Sequence, residues 1–150
     1  MYLIIDSETT GLPRNWKAPI ADLANWPRVI QMAWSLFDSA NRPIESVTHL
    51  IKPAGFLIPG EVQRIHGIST ERALAEGREL PAVLQEFADA AARSDFIIAH
   101  NVRFDESVIA AEYLRLKLPS PFAGKRRICT MMRSTELCHI QGPYGYKWPT

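Results

Sequence analysis

After Asp105 the chain contains no aspartate, and its 150 residues hold only two cysteines. Each scarcity excludes something. Cys129 and Cys138 are too few for a disulfide framework and lack metal-site spacing, so reduced thiols are expected. No apolar run approaches bilayer-spanning length. The four-residue apolar run behind Met1 is too short, and too uncharged in front, to be a secretory signal. A cytoplasmic protein without a membrane partner is the expectation. An excess of one charge is also lacking: 17 Lys and Arg against 16 Asp and Glu give a formal charge of +1. That excludes a polybasic coat for nucleic acid and leaves only local patches such as Lys125, Arg126 and Arg127. There is no repeat or low-complexity run, and 47% hydrophobic residues suffice for a core, so residues 1–150 read as one domain.

What is present begins with Tyr2 to Asp6, an apolar strand that the Thr9-Thr10-Gly11-Leu12-Pro13 run turns outward. Arg28 to Asp38 and Ile44 to Ile51 read as two further strands joined by a turn at Ser39 to Pro43. From Glu61 the pattern becomes helical, with Ser69 or Thr70 as a start signal. Pro81 to Arg93 places Val83, Leu84, Phe87, Ala88 and Ala91 at spacings of three and four. Phe96 to Ala99 is a short apolar strand, followed by an amphipathic helix over Asp105 to Leu116. A helix between apolar strands implies a crossover, hence an α/β fold with a mixed sheet and helices packed on it. In such sheets ligands collect at the carboxyl ends of strands.

Three carboxylates fall there. Asp6 and Glu8 are two apart on an extended segment, so they point the same way, roughly 6 to 7 Å apart. Asp105 comes from the distant run FIIAHNVRFD. Two carboxylates about 4 Å apart repel by roughly 4 kcal/mol at an effective dielectric near 20, so converging acids call for cations. The bland alternatives are a solvated turn at Asp-Ser-Glu and a helix start at Asn101 to Asp105, with Asn101 capping and Asp105 in the first turn.

Asp6-Ser7-Glu8-Thr9-Thr10-Gly11-Leu12 resembles the first exonuclease motif of the DEDD superfamily, in its DnaQ-like group of 3′-to-5′ exonucleases. Ala99-His100-Asn101-Val102-Arg103-Phe104-Asp105 resembles the second motif, and Ile65-His66-Gly67-Ile68-Ser69 the intervening His-Gly-Ile element. The resemblance implies a ribonuclease H-like fold, a mixed sheet flanked by helices. It also implies two Mg²⁺ or Mn²⁺ ions held by Asp6, Glu8 and Asp105. Asp6 would bridge both ions, Glu8 would hold the water-activating ion and meet the terminal 3′-hydroxyl, and Asp105 would hold the second ion. Ser7, Thr9, Thr10, Gly11, Leu12, His66, His100 and Asn101 would line the substrate. Leu12 could wedge against the terminal base or be a core residue, and His66 and His100 could each be structural. The implied partner is a single-stranded 3′ end of DNA or RNA, with a polymerase or repair complex as a candidate protein partner.

The pattern then breaks. The family's fourth carboxylate and general-base His, or Tyr in the sister group, find no counterpart: His139 is followed by Ile-Gln-Gly, and Tyr144 has Trp148 where an Asp is wanted. The expectation is an N-terminal portion of such an exonuclease, lacking its C-terminal helical part, with Thr150 as the cap of a following helix and with impaired activity. Two other functions compete. One is a non-catalytic module that keeps the fold to bind nucleic-acid ends or a protein. The other is a cysteine hydrolase built on Cys129 or Cys138 with His139.

Overall fold

The apolar run after Met1 becomes a strand longer than expected. In the computed structural model, which describes residues 1–149, β1 spans Tyr2–Thr9 and so carries Asp6, Ser7 and Glu8 within itself. Alternation is visible in its burial: Leu3, Ile5 and Thr9 are buried while Ile4 and Asp6 are exposed. β2 (Val29–Phe37) pairs antiparallel with β1, and β3 (Pro43–Leu50) antiparallel with β2. The turn between them is held by Asp38, whose Oδ1 accepts the backbone N–H groups of Ala40 and Arg42 at 2.9 Å each.

Helices follow, as the periodicity implies: α1 (Gly60–His66), α2 (Thr70–Glu76) and α3 (Leu80–Ala92). Ser69 caps α2, its side chain accepting the N–H of Arg72 at 3.1 Å. Between α2 and the sheet, Gly77 is the point of closest approach. A Cβ there would lie 2.2 Å from the carbonyl oxygen of Ala73 and 2.6 Å from the amide of Lys52, so a side chain would break the bridge between Ile51 and Arg78. β4 (Phe96–Ala99) then enters parallel to β1, and α4 (Val102–Arg115) starts three residues earlier than the amphipathic pattern suggests. Asn101 sits at the N-cap of α4 but with φ of +67° and no side-chain cap bond. The capping expectation fails because a cap side chain needs the extended backbone that Asn101 lacks.

An element not expected from sequence is β5 (Arg126–Cys129), parallel to β4. It converts the anticipated basic patch into fold-internal contacts. Lys125 donates to the Ser94 carbonyl at 2.6 Å, the Arg126 guanidinium lies 4.6 Å from the centre of the Phe96 ring, and Arg127 pairs with Glu106. The short helices α5 (Thr130–Arg133) and α6 (Thr135–Cys138) and the two-residue strands β6 (Gln141–Gly142) and β7 (Gly145–Tyr146) follow. Thr150, expected as a helix cap, lies outside the described residues.

The sheet is therefore mixed, in the order β3-β2-β1-β4-β5, with β1 in the middle. One face packs Leu3, Ile5, Met32, Trp34, Leu36 and Ile97 against Val83, Leu84 and Phe87 of α3 and Val108 and Ile109 of α4. Each such side chain contributes about 1.5–3 kcal/mol on burial. Ile4, Asp6, Ala33, Ser35, Ser46 and Thr48 line a shallow depression on the opposite face. A smaller core of Ile30, Ile58, Ile68 and Ala73 seats α1 and α2. No helix among the described residues is long and apolar enough to cross a membrane.

Candidate active site

The site forms where β1 ends. The pleat sends Asp6 and Glu8 one way and Ser7 the other, toward α4, where the Ser7 hydroxyl donates to Oδ1 of Asp105 at 2.7 Å. Pairing with β2 slips by one residue between Glu8 and Thr9, a bulge that redirects the chain beyond the carboxylates. Thr9 then folds its hydroxyl onto the Gly11 carbonyl at 2.6 Å, and Thr10 exchanges bonds with Arg28: its amide donates to the Arg28 carbonyl and its hydroxyl accepts the Arg28 N–H, both at 2.9 Å. With those groups tied down, Leu12 projects outward and is 71% exposed, which excludes the core alternative.

Facing this loop is the end of α1. Gly67 closes the helix at φ +73°, donating to the Gln63 carbonyl at 2.8 Å, a conformation that favours glycine. Ile68 is buried beside it, and the N–H of Ile68 donates to Nδ1 of His66 at 3.0 Å. Between loop and helix lies a pocket of about 230 Å³, lined among others by Glu8, Leu12, Val62, Ile65, His66 and Phe104. Ile65 is 81% exposed. Trp16 leans on Phe104 with ring centres 5.7 Å apart, and Arg103 donates to the Trp16 carbonyl at 3.1 Å.

The acids strain against one another. Asp105 is only 3% exposed, and burial pushes its carboxyl up to about 7. The Ser7 bond opposes that rise, while the charge of Asp6 adds to it. Glu8 is also raised, first by burial and then by Asp6, with His66 acting in the opposite direction. Hard oxygen donors that raise one another's proton affinity fit a divalent cation, which would relieve the repulsion. The side chains as they stand do not close round a point: among the described residues no three His, Cys, Asp or Glu groups are placed to hold an ion.

Other sequence candidates lie apart. His100 bonds Thr130 Oγ1 through Nδ1 at 3.2 Å and contacts the Pro149 carbonyl through Nε2 at 2.9 Å. Of the acids after Asp105, Glu106 pairs with Arg127, and Glu112 is fully buried between Arg28 and Arg115. Cys129 and Cys138 are both free, and His139 stacks on Tyr146 at 4.4 Å. Sequence reasoning missed Val62, Ile65 and Trp16. The one available signal was an isoleucine just before His-Gly on a helix with no buried residue.

The sequence profile of the exonuclease family matches residues 3–138. Among solved structures, this chain is similar to E. coli exonuclease I in complex with a dT13 oligonucleotide, with a TM-score of 0.75, 25% identity and coverage of 99% of this chain and 31% of that one. It is equally similar to a product-bound exonuclease I (TM-score 0.74, 25% identity, 99% and 34%) and to an ExoI/SSB-Ct complex (TM-score 0.74, 25% identity, 99% and 32%). The chain thus spans about a third of the length of these exonuclease I chains. No curated protein sequence matches it.

Proposed function

Because the chain belongs to the exonuclease family and is DnaQ-like in its motifs, we propose that it forms the part of a 3′-to-5′ exonuclease that seats the end of a single strand on Asp6, Glu8 and Asp105. The observation that carries this is the juxtaposition of Glu8 with an apolar pocket edged by Leu12, Ile65 and Phe104. A carboxylate at the mouth of an apolar slot suits a terminal nucleotide, base in the slot and 3′-hydroxyl toward the acid. Similarity to an exonuclease I bound to an oligonucleotide supports the same ligand class.

In the proposed mechanism Asp6, Glu8 and Asp105 are the residues that would hold the divalent ions, Glu8 also orients the terminal hydroxyl, and Ser7 keeps Asp105 in place. Divalent ions bound there would supply activation of the attacking water and charge neutralisation at the leaving oxygen. Leu12 and Ile65 exclude water from the base. Thr10 is tied to Arg28 by two bonds, which holds the start of the loop against the sheet.

Residues 1–150 alone are proposed to be slow. Every acid after Asp105 except the exposed Glu136 is engaged elsewhere in the fold, and His66, the histidine beside Glu8, has its Nδ1 lone pair taken by the N–H of Ile68 and so is no ready base. Losing general-base assistance costs a factor of about 10² to 10⁴. The test is a 5′-labelled oligothymidylate incubated with the chain and Mg²⁺ or Mn²⁺. Slow shortening from the 3′ end that stops in Asp6→Ala is expected. Fast shortening removes the impairment, and shortening indifferent to Asp6→Ala removes the reading itself.

A further inference from the structure

We propose that His66 is a positioning residue for Glu8, its Nε2–H being the donor that holds the Glu8 carboxylate in place. The inference deepens the exonuclease reading and rests on it for the role given to Glu8.

Nδ1 of His66 accepts the N–H of Ile68 at 3.0 Å, so that nitrogen carries no proton. A neutral imidazole with Nδ1 unprotonated bears its hydrogen on Nε2. The fold therefore selects the tautomer. It also fixes the ring: His66 ends α1, the left-handed Gly67 turns the chain immediately after it, and Ile68 is anchored in the smaller core with Ile30, Ile58 and Ala73.

The selected donor then has nothing to give its hydrogen to. Nε2 is buried and has no partner among the described residues, a state that folded proteins avoid unless the group serves something nearby. Glu8 is what is nearby. Both side chains line one pocket. A modest swing of the Glu8 side chain would complete the bond and leave its second oxygen free for a cation, an arrangement in which an outer partner orients a ligand.

Two amide substitutions separate the two ends of the ring. His66→Asn puts a carbonyl near the Nδ1 position, so it can still accept from Ile68 but has no donor at Nε2. His66→Gln carries its NH₂ near the Nε2 position and forfeits the bond to Ile68. In the full 150-residue chain, titrated calorimetrically with Mn²⁺, His66→Asn should bind about tenfold more weakly than wild type, and His66→Gln within about twofold of it. The reverse order, or two variants that both bind like wild type, overturns the proposal.

A metal-free measurement decides it separately. Long-range ¹H–¹⁵N correlation of the imidazole should show the Nε2–H tautomer, and Glu8→Gln should move the Nε2 resonance. An unmoved resonance overturns the proposal whatever the metal does. A resonance that moves in a protein that takes up no Mn²⁺ sustains the His66–Glu8 bond and counts against the metal reading of the site.

Discussion

The hydroxyl of Ser7 donates to Oδ1 of Asp105 across 2.7 Å, so the residue between the two acids of the first motif grips the acid of the second. Ninety-eight positions of chain separate them. The bond makes the helix start and the strand end one unit, and it opposes without cancelling the burial that raises the Asp105 carboxyl to about 7.

That value sets a pH dependence. The native state keeps the Asp105 proton up to about pH 7, whereas the unfolded chain releases it near 3.8. Stability from this group is fully present below about pH 4 and is lost as pH rises through about 7. The difference in proton affinity between the two states corresponds to about 4 kcal/mol. Asp105→Asn, a permanent mimic of the protonated acid, is predicted to raise Tm at pH 8 and leave it nearly unchanged at pH 4. Equal Tm differences at both pH values would reject the assignment.

Divalent cations should act in the same sense as the amide. Calorimetric titration of Mn²⁺ at pH 7.5 is predicted to show uptake by wild type and none by Asp6→Ala. At a hundredfold excess over its Kd the ion should stabilise by about 2.7 kcal/mol. A Tm indifferent to Mn²⁺ in the wild-type chain would count against any metal at these carboxylates.

Leu12 and Ile65 face solvent, so shortening them should not touch the core. Leu12→Ser and Ile65→Ser are each predicted to change stability by less than about 0.5 kcal/mol. Each should weaken oligothymidylate binding by about 1 kcal/mol, roughly fivefold. Fluorescence anisotropy with a 5′-labelled strand checks this; loss of stability in place of affinity would return these residues to a structural role.

Glu112 makes the opposite prediction. It is fully buried, with Arg28 at 2.8 Å, Arg115 at 3.1 Å and the Val29 N–H at 3.1 Å on one oxygen. Glu112→Ala leaves two guanidinium groups without their counter-charge and should cost about 3–5 kcal/mol. Chemical denaturation measures it, and a loss under about 1 kcal/mol would show that the network is dispensable.

Much of this fold is legible in the sequence because its signals are local. The apolar run of Tyr2 to Asp6, the Ser69 cap and the spacing of Val83, Leu84 and Phe87 each report an element from neighbouring residues. β5 escapes because Arg126–Cys129 carries two arginines and only two apolar residues. What makes it a strand is its parallel pairing with Phe96 to Ala99, thirty residues away. The two motifs are legible in the site, and the Ser7–Asp105 bond is not, since the resemblance assigns Ser7 to the substrate and nothing local links it to a residue 98 positions away. Ile65 was hidden similarly: an exposed isoleucine acquires meaning only when Leu12 is seen across the pocket.

The strand that carries Asp6 and Glu8 lies inside the sheet, paired with β2 along its length and with β4 over Tyr2 to Ile4. Its paired amide hydrogens should be among the last in the chain to trade with deuterated solvent, while those of Gly11 to Trp16 trade early. A chemist following that exchange would see the acids outlast the loop beside them. The pocket between Leu12 and Ile65 could loosen and re-form many times on a foundation that had not opened once.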